Sequence, residues 1–272
     1  DSDITFQLAQ HFRPELKEAQ TDKLFKEIEV PLLRVLADME SEGINLDEDF
    51  LNALSTELDE DIKNLEVKIY EQAGEQFNIA SPKQVGQVLF DKLEIPYRWK
   101  KTSSGQYSTD VDKLTELAQS HEIVNKILEY RKYSKLKSTY VDALPQLINP
   151  KTDRIHSNFN QARAATGRLS SDNPNLQNIP IRDEAGRKIR EAFIPRNEDY
   201  VLFAADYSQI ELRIIAALSG DKNMQQAFKD GKDIHTATAA KVFKVEEKDV
   251  TREMRSSAKA VNFGIIYGVS AF

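Results

Sequence analysis

The sequence predicts an α+β chain in which helices carry most of the length and short strands sit between them. Apolar residues recur at intervals of three and four through residues 23–46, from Phe50 to Ile69, and from Glu122 to Ile148, which is the signature of helices with one buried face. Strand-like patterns are confined to the alternating run R-I-H-S-N-F-N-Q-A-R at 154–163 and the apolar run V-L-F-A-A at 201–205. Turn-forming residues punctuate the pattern, with Gly43 ahead of I-N-L-D and N-P-K-T-D at 149–153.

Composition bounds the function without naming it. At 272 residues the chain has room for one large domain or two to three small ones, and a 40% hydrophobic content is enough for real cores. No apolar stretch approaches membrane-spanning length and no secretory start is visible. Zero cysteines exclude disulfide and thiol chemistry, and fit a cytoplasmic location. A net charge of −7 argues against a surface coated for nucleic acid, while leaving room for a local basic groove on an acidic body.

Residues 1–22 read as a helix stopped near Pro14 and a polar linker, and 23–46 as a second helix closed by Gly43. Phe50, Leu54, Leu58, Ile62, Leu65 and Ile69 line one face of a longer helix whose other faces are mostly acidic. From Gln72 to Thr109 the pattern breaks up. Ser81 and Pro82 start a short helix, and R-W-K-K-T-S-S-G-Q-Y-S-T at 98–109 is a basic, hydroxyl-rich loop. Its Arg98, Lys100 and Lys101 suit either phosphate contact or plain solubility, and Trp99 is expected to pack. Helix returns at Glu122. Its segment R-K-Y-S-K-L-K-S-T-Y is the most concentrated basic stretch, and Arg131, Lys132, Lys135 and Lys137 make a phosphate-binding face credible.

Two later stretches carry the chemistry. In V-L-F-A-A-D-Y-S-Q-I-E-L-R an apolar run leads into Asp206, as a buried strand would deliver a carboxylate to its exposed end. The same residues fit a strand–turn–helix in which Asp206 only caps the helix. In R-S-S-A-K-A-V-N-F-G-I-I-Y, after Thr251 as a helix cap, Arg255, Lys259, Phe263 and Tyr267 fall at every fourth position. On a helix they form a slowly turning stripe roughly 18 Å long. Two cations followed by two rings suit a nucleoside triphosphate, and they also suit an ordinary amphipathic helix with a solvated basic end. Gly264 and Gly268 disfavour the ordinary helix, since each costs up to about 1 kcal/mol in a helix interior.

D-Y-S-Q-I-E-L-R at 206–213 and R-S-S-A-K-A-V-N-F-G-I-I-Y-G at 255–268 resemble motifs A and B of the family A DNA polymerases, the bacterial DNA polymerase I type. T-G-R-L-S-S-D-N-P-N-L-Q-N-I-P at 166–180 resembles a third signature, and the likeness covers essentially the whole chain in order. It implies an incomplete right-hand architecture. Residues 1–22 would end a 3′–5′ exonuclease-type domain, and 23–46 would be a palm-associated helix. The helical thumb would span 47–150, a β-containing palm 151–219, and the helical start of the fingers 220–272. The implied activity is template-directed addition of deoxynucleotides to a primer 3′-hydroxyl, in replication or repair, by a monomeric parent protein.

The resemblance also implies roles. Asp206 and the backbone carbonyl of Tyr207 would bind Mg²⁺, of which such enzymes use two ions. Glu211 would exclude a ribose 2′-hydroxyl. His235, Arg255, Lys259 and Arg182 would lie by the triphosphate, with Lys259 as proton donor. Phe263 would stack beside base and sugar, and Tyr267 would sit under the templating position. Arg168 would probe the primer terminus from the minor groove, while Gln177 and Asn178 would hold nearby backbone and DNA. The family's second catalytic carboxylate lies in a His-Asp-Glu motif, and no H-D-E occurs here. The expected partners are primer–template DNA and deoxynucleoside triphosphates. The alternative is that this chain alone is an inactive DNA- or nucleotide-binding fragment.

Overall fold

The computed structural model describes residues 1–181, 183–266 and 268. They divide into two compact units, Asp1–Leu202 and Phe203–Phe272. Most of the described residues are helical and the strands are few and short, an α+β composition.

In the first unit, α1 (Ser2–Glu18) runs through Pro14. The expected stop at that proline is therefore wrong. Proline removes one backbone donor, but α1 is exposed along nearly its whole length, so water can take the carbonyl left over. α2 (Asp22–Leu24) leads through a π turn, Phe25–Glu29, into α3 (Val30–Glu42). Gly43 closes α3 with φ 64°, and its amide returns to the Met39 carbonyl at 3.1 Å. β1 (Asn45–Leu46) follows at once.

α4 (Glu48–Ala73) is the longest element. Asp47 caps it by accepting the Phe50 amide at 2.9 Å, and Gly74 ends it in a left-handed conformation. It packs against α7 (Glu122–Leu136), and the two helices share two separate cores. The first joins Leu65, Ile69 and Ala73 of α4 to Ile123, Val124 and Ile127 of α7. Leu89 and Leu114 complete it from α5 (Pro82–Gly86) with its continuing π turn, and from α6 (Val111–Ala118). The second core joins Leu51, Leu54 and Leu58 to Leu136, Val141, Leu144, Ile155 and Ile189. Trp99 packs against the first core, edge-on to Tyr97 at 5.5 Å. The sequence pattern missed α6, which is two turns long and follows directly on the loop.

β2 (Asn158–Asn160) and β3 (Ser170–Asp172) form an antiparallel pair, and β1 pairs with β4 (Phe193–Ile194), which follows α8 (Glu184–Glu191). A bridge between Ile44 and Ile155 ties the turn after α3 to this region.

The second unit holds α9 (Ile210–Ser219), α10 (Lys222–Lys229), α11 (Ile234–Phe243) and α12 (Arg252–Ile266). The expected buried strand ahead of Asp206 is not formed. Residues 201–206 have no ladder partner among the described residues, and Val201 and Phe203 are 83% and 87% exposed. An apolar run becomes a strand only where a neighbouring strand takes its amides and carbonyls.

Candidate nucleotide and nucleic-acid site

Short polar side chains start three of the helices of the second unit, α10, α11 and α12. Asp221 caps α10 by accepting the Met224 amide at 2.9 Å, Asp233 caps α11 through Thr236 at 3.0 Å, and Thr251 caps α12 through Met254 at 3.2 Å. Gln209 precedes α9 at φ 53°, and its side-chain carbonyl accepts the Ile234 amide at 3.2 Å. That bond sets the start of α9 beside the start of α11. Asp206 and Tyr207 lie in the irregular segment before α9, both exposed. Glu211 is half-buried in the first turn of α9, where the helix dipole favours a carboxylate.

α11 and α12 pack against each other and bring four of the expected nucleotide contacts together, His235, Arg255, Lys259 and Phe263. Arg255 donates from Nε at 3.0 Å and from Nη2 at 2.7 Å to the same oxygen, Asp233 Oδ2. Burial acts against the Asp233 carboxylate, but the Thr236 amide and the Arg255 guanidinium outweigh it and hold the carboxyl below its ordinary range. His235, in the first turn of α11, is 2% exposed. Its ring centroid is 5.7 Å from that of Phe263. Burial pushes the imidazole below its ordinary value, with Arg255 and Lys259 acting the same way and Asp233 opposing them. One turn on from Arg255, Lys259 is exposed, and its Nζ is 5.8 Å from the Phe263 ring. Arg255, Lys259 and Phe263 thus share one stripe of α12. Tyr267 and Arg182 lie outside the described residues.

The first unit carries the expected DNA contacts, and several are already engaged within the chain. Arg131 donates from Nη1 to the Thr109 carbonyl at 2.5 Å and from Nη2 to the Thr109 hydroxyl at 3.0 Å. Burial pushes the guanidinium below its ordinary value. Lys132 pairs with Asp183 at 3.2 Å, and Lys137 with Asp142 at 2.7 Å and Asp59 at 3.5 Å. The hydrogen bond to Asp142 pushes the Lys137 ammonium upward. Lys135 is exposed. Arg168 is exposed in the loop after Gly167 and ahead of β3. Gln177 accepts the Ser171 amide at 3.1 Å through its side chain, and the Asn178 carbonyl accepts the Tyr140 hydroxyl at 2.6 Å. In the loop at 98–109, Arg98 pairs with Glu116 and Lys101 lies 3.9 Å over the Tyr107 ring.

Among the described residues no group of three or more His, Asp or Glu side chains converges as a metal cage would. Mg²⁺ at a substrate phosphate asks for less, one or two carboxylates with water and phosphate oxygens. The exposed Asp206 carboxylate and Tyr207 carbonyl fit one such edge and no more.

The sequence reading passed over Asp233, Thr238 and Asn262. Thr238 Oγ1 donates to Asn262 Oδ1 at 3.2 Å, and Asn262 Nδ2 meets His235 Nδ1 at 3.0 Å. Asp233 had a readable signal, an N-cap residue two positions ahead of a candidate histidine. It also passed over Asp172, whose carboxylate gathers Asn158, Asn160 and Arg163.

A family model described as DNA polymerase family A matches residues 48–272. The chain is 54% identical over 258 residues to DNA polymerase I of Geobacillus stearothermophilus, covering 95% of this chain and 29% of that protein. It is 51% identical over 248 residues to the thermostable DNA polymerase I of Thermus aquaticus, covering 91% of this chain and 30% of that protein. The chain thus spans about three tenths of these relatives. Among solved structures, the POL domain of Pol1 from M. smegmatis, in complex with DNA primer-template and dNTP, superposes with a TM-score of 0.88 at 44% identity. That match covers 98% of this chain and 47% of the other.

Proposed function

The chain belongs to DNA polymerase family A, and from that premise we propose that it is part of a template-directed DNA polymerase that adds deoxynucleotides to a primer 3′-hydroxyl. The observation that carries the reading is the α12 stripe of Arg255, Lys259 and Phe263 packed beside His235 at the start of α11. Cations followed by a ring, at helical spacing, match a triphosphate joined to a base. The M. smegmatis relative, solved with primer-template and dNTP, supports the same partners.

In this reading Arg255 and Lys259 neutralise phosphate charge, and Lys259 donates a proton to the departing pyrophosphate. Phosphoryl transfer asks a protein chiefly for such positioning and charge. Phe263 stacks beside base and sugar, Tyr267 is assigned beneath the templating position, and Arg182 to the triphosphate. Glu211 excludes a 2′-hydroxyl by occupying its space. Arg168 reads acceptor positions shared by all correct pairs in the minor groove, and Gln177 and Asn178 hold the adjoining backbone. Lys132, Lys135 and Lys137 approach phosphates without reading sequence. Asp206 and the Tyr207 carbonyl would hold Mg²⁺, which in such sites stabilises charge on the attacking and leaving oxygens. Residues 47–150 are assigned to the thumb, 151–219 to the palm, and 220–272 to the fingers.

The test is primer extension by this chain with Mg²⁺ and four deoxynucleotides, beside Asp206→Asn and a binding assay on the same primer–template. Salt-dependent DNA binding is expected. Extension that Asp206→Asn abolishes would show that the chain is active alone. Binding without extension would identify a fragment holding half of a two-metal site. Absence of both binding and extension would overturn the proposal.

A further inference from the structure

His235 has two ring nitrogens with different surroundings. Nδ1 faces the Asn262 side-chain amide at 3.0 Å, and the other end of that amide accepts the Thr238 hydroxyl at 3.2 Å. Nε2 has no partner among the described residues. All three residues belong to the α11–α12 pair, and Thr238 and Asn262 are themselves half-buried. An amide oriented this way points N–H at Nδ1. An imidazole nitrogen that accepts a hydrogen bond carries no proton, so the ring proton must sit on Nε2. In this arrangement the Thr238 hydroxyl donates to the amide oxygen, which keeps that oxygen turned away from the histidine.

We propose that Thr238 and Asn262 form a relay that holds His235 as a neutral imidazole with its proton on Nε2, presenting a hydrogen-bond donor to a phosphate oxygen of the incoming nucleotide. The two residues are positioning residues, and the nucleotide part of the inference rests on the function proposed above. The surrounding charges agree with a neutral ring. Arg255 and Lys259 approach it from α12 and disfavour a further proton, as burial does, while Asp233 on its own helix is occupied by the Arg255 guanidinium. A neutral donor also has a chemical merit here. It contacts phosphate without adding a third cation beside Arg255 and Lys259, so product release is not opposed by one more charge.

The experiment is long-range ¹H–¹⁵N correlation on the ¹⁵N-labelled chain at neutral pH, which separates protonated from bare ring nitrogens. The chain has 4 histidines, so loss of one set of signals in His235→Gln assigns the ring. The expected spectrum has a bare Nδ1 and a protonated Nε2. Thr238→Val, which removes the hydroxyl at constant shape, should shift a measurable fraction of the ring to the Nδ1–H form, and Thr238→Ser should restore the original pattern. A wild-type ring protonated on Nδ1, or doubly protonated, would overturn the relay. So would an unchanged tautomer in Thr238→Val. Titration with deoxyadenosine triphosphate then tests the nucleotide arm separately. A bare Nδ1 with an Nε2 signal that nucleotide does not move would keep the relay and remove its assigned ligand.

Discussion

Replacing Arg131 by methionine distinguishes a phosphate contact from an internal brace. The guanidinium spans the carbonyl and hydroxyl of Thr109, a residue only 5% exposed, and so ties the end of the 98–109 loop to α7. Hydrogen bonds to a charged donor are worth about 1.5–3 kcal/mol each, and a buried carbonyl left unpaired costs about 1–3 kcal/mol. Against this, the variant no longer half-buries a full positive charge. The balance is a loss of about 2 kcal/mol, with Thr109→Val, which removes only the hydroxyl, losing about 1 kcal/mol. The single tryptophan, Trp99, packs against the same core and reports its unfolding in urea. The second half of the assay is the salt dependence of primer–template binding. A residue that neutralises one phosphate lowers the slope of log K against log salt by about 0.9 when removed. Arg131→Met is expected to lower the urea midpoint and leave that slope unchanged. An unchanged midpoint with a smaller slope would refute the brace and restore Arg131 to the DNA-binding face.

Three further outcomes follow from the geometry. Gly43→Ala should destabilise the first unit by about 2–3 kcal/mol in urea denaturation, because φ is 64° and the added carbon would lie 2.6 Å from the Ile155 carbonyl oxygen and 2.9 Å from the His156 ring. Asp110 caps α6, and its hydrogen bond from Lys113, with help from Ser108, lowers its carboxyl to about 2. A lowered acid stabilises the fold above its unfolded value near 3.8 and loses that contribution as pH falls towards 2. Asp110→Ala should therefore cost about 1 kcal/mol at neutral pH and show a shallower acid-induced loss. His235 works through the opposite charge type but in the same direction. Its imidazole is held below the ordinary 6.5, so the unfolded chain takes up the proton first, and stability is complete above 6.5 and declines as pH falls below it. Unfolding of the second unit followed at pH 7.5 and pH 5.5, buffer conditions chosen to be about one unit either side of that value, should show this decline, and His235→Phe should flatten it.

What the sequence disclosed and what it hid divide along a physical line. α4 and α12 were legible because long helices repeat their apolar period many times, and Thr251 marked the start of α12. The Arg255–Lys259–Phe263 stripe was legible for the same reason. α6 offered only Val111, Leu114 and Leu117 behind its Asp110 cap, too few repeats to stand out from a loop. Pro14 misled because on an exposed helix water can take the freed carbonyl, so the proline weakens the helix without ending it. The run at 201–206 misled because strand formation is decided by a neighbour, and hydrophobicity alone supplies none. The Asp233–Arg255 pair and the Asn262–His235 contact join residues 22 and 27 positions apart, a closeness that only the packing of α11 on α12 creates.

The pair of cores strung along α4 and α7 has a consequence for how the first unit breathes. Each helix contributes one end to either cluster, with Tyr133 touching both. The two clusters are thus cooperative units that share their backbone, and amide exchange should resolve them as two protection plateaus meeting near the middle of each helix. A weakened far cluster would open by fraying α4 from Ala73 backwards while Leu51, Leu54 and Leu58 keep the near half wound. Damage at one end of the hairpin is in this way insulated from the other.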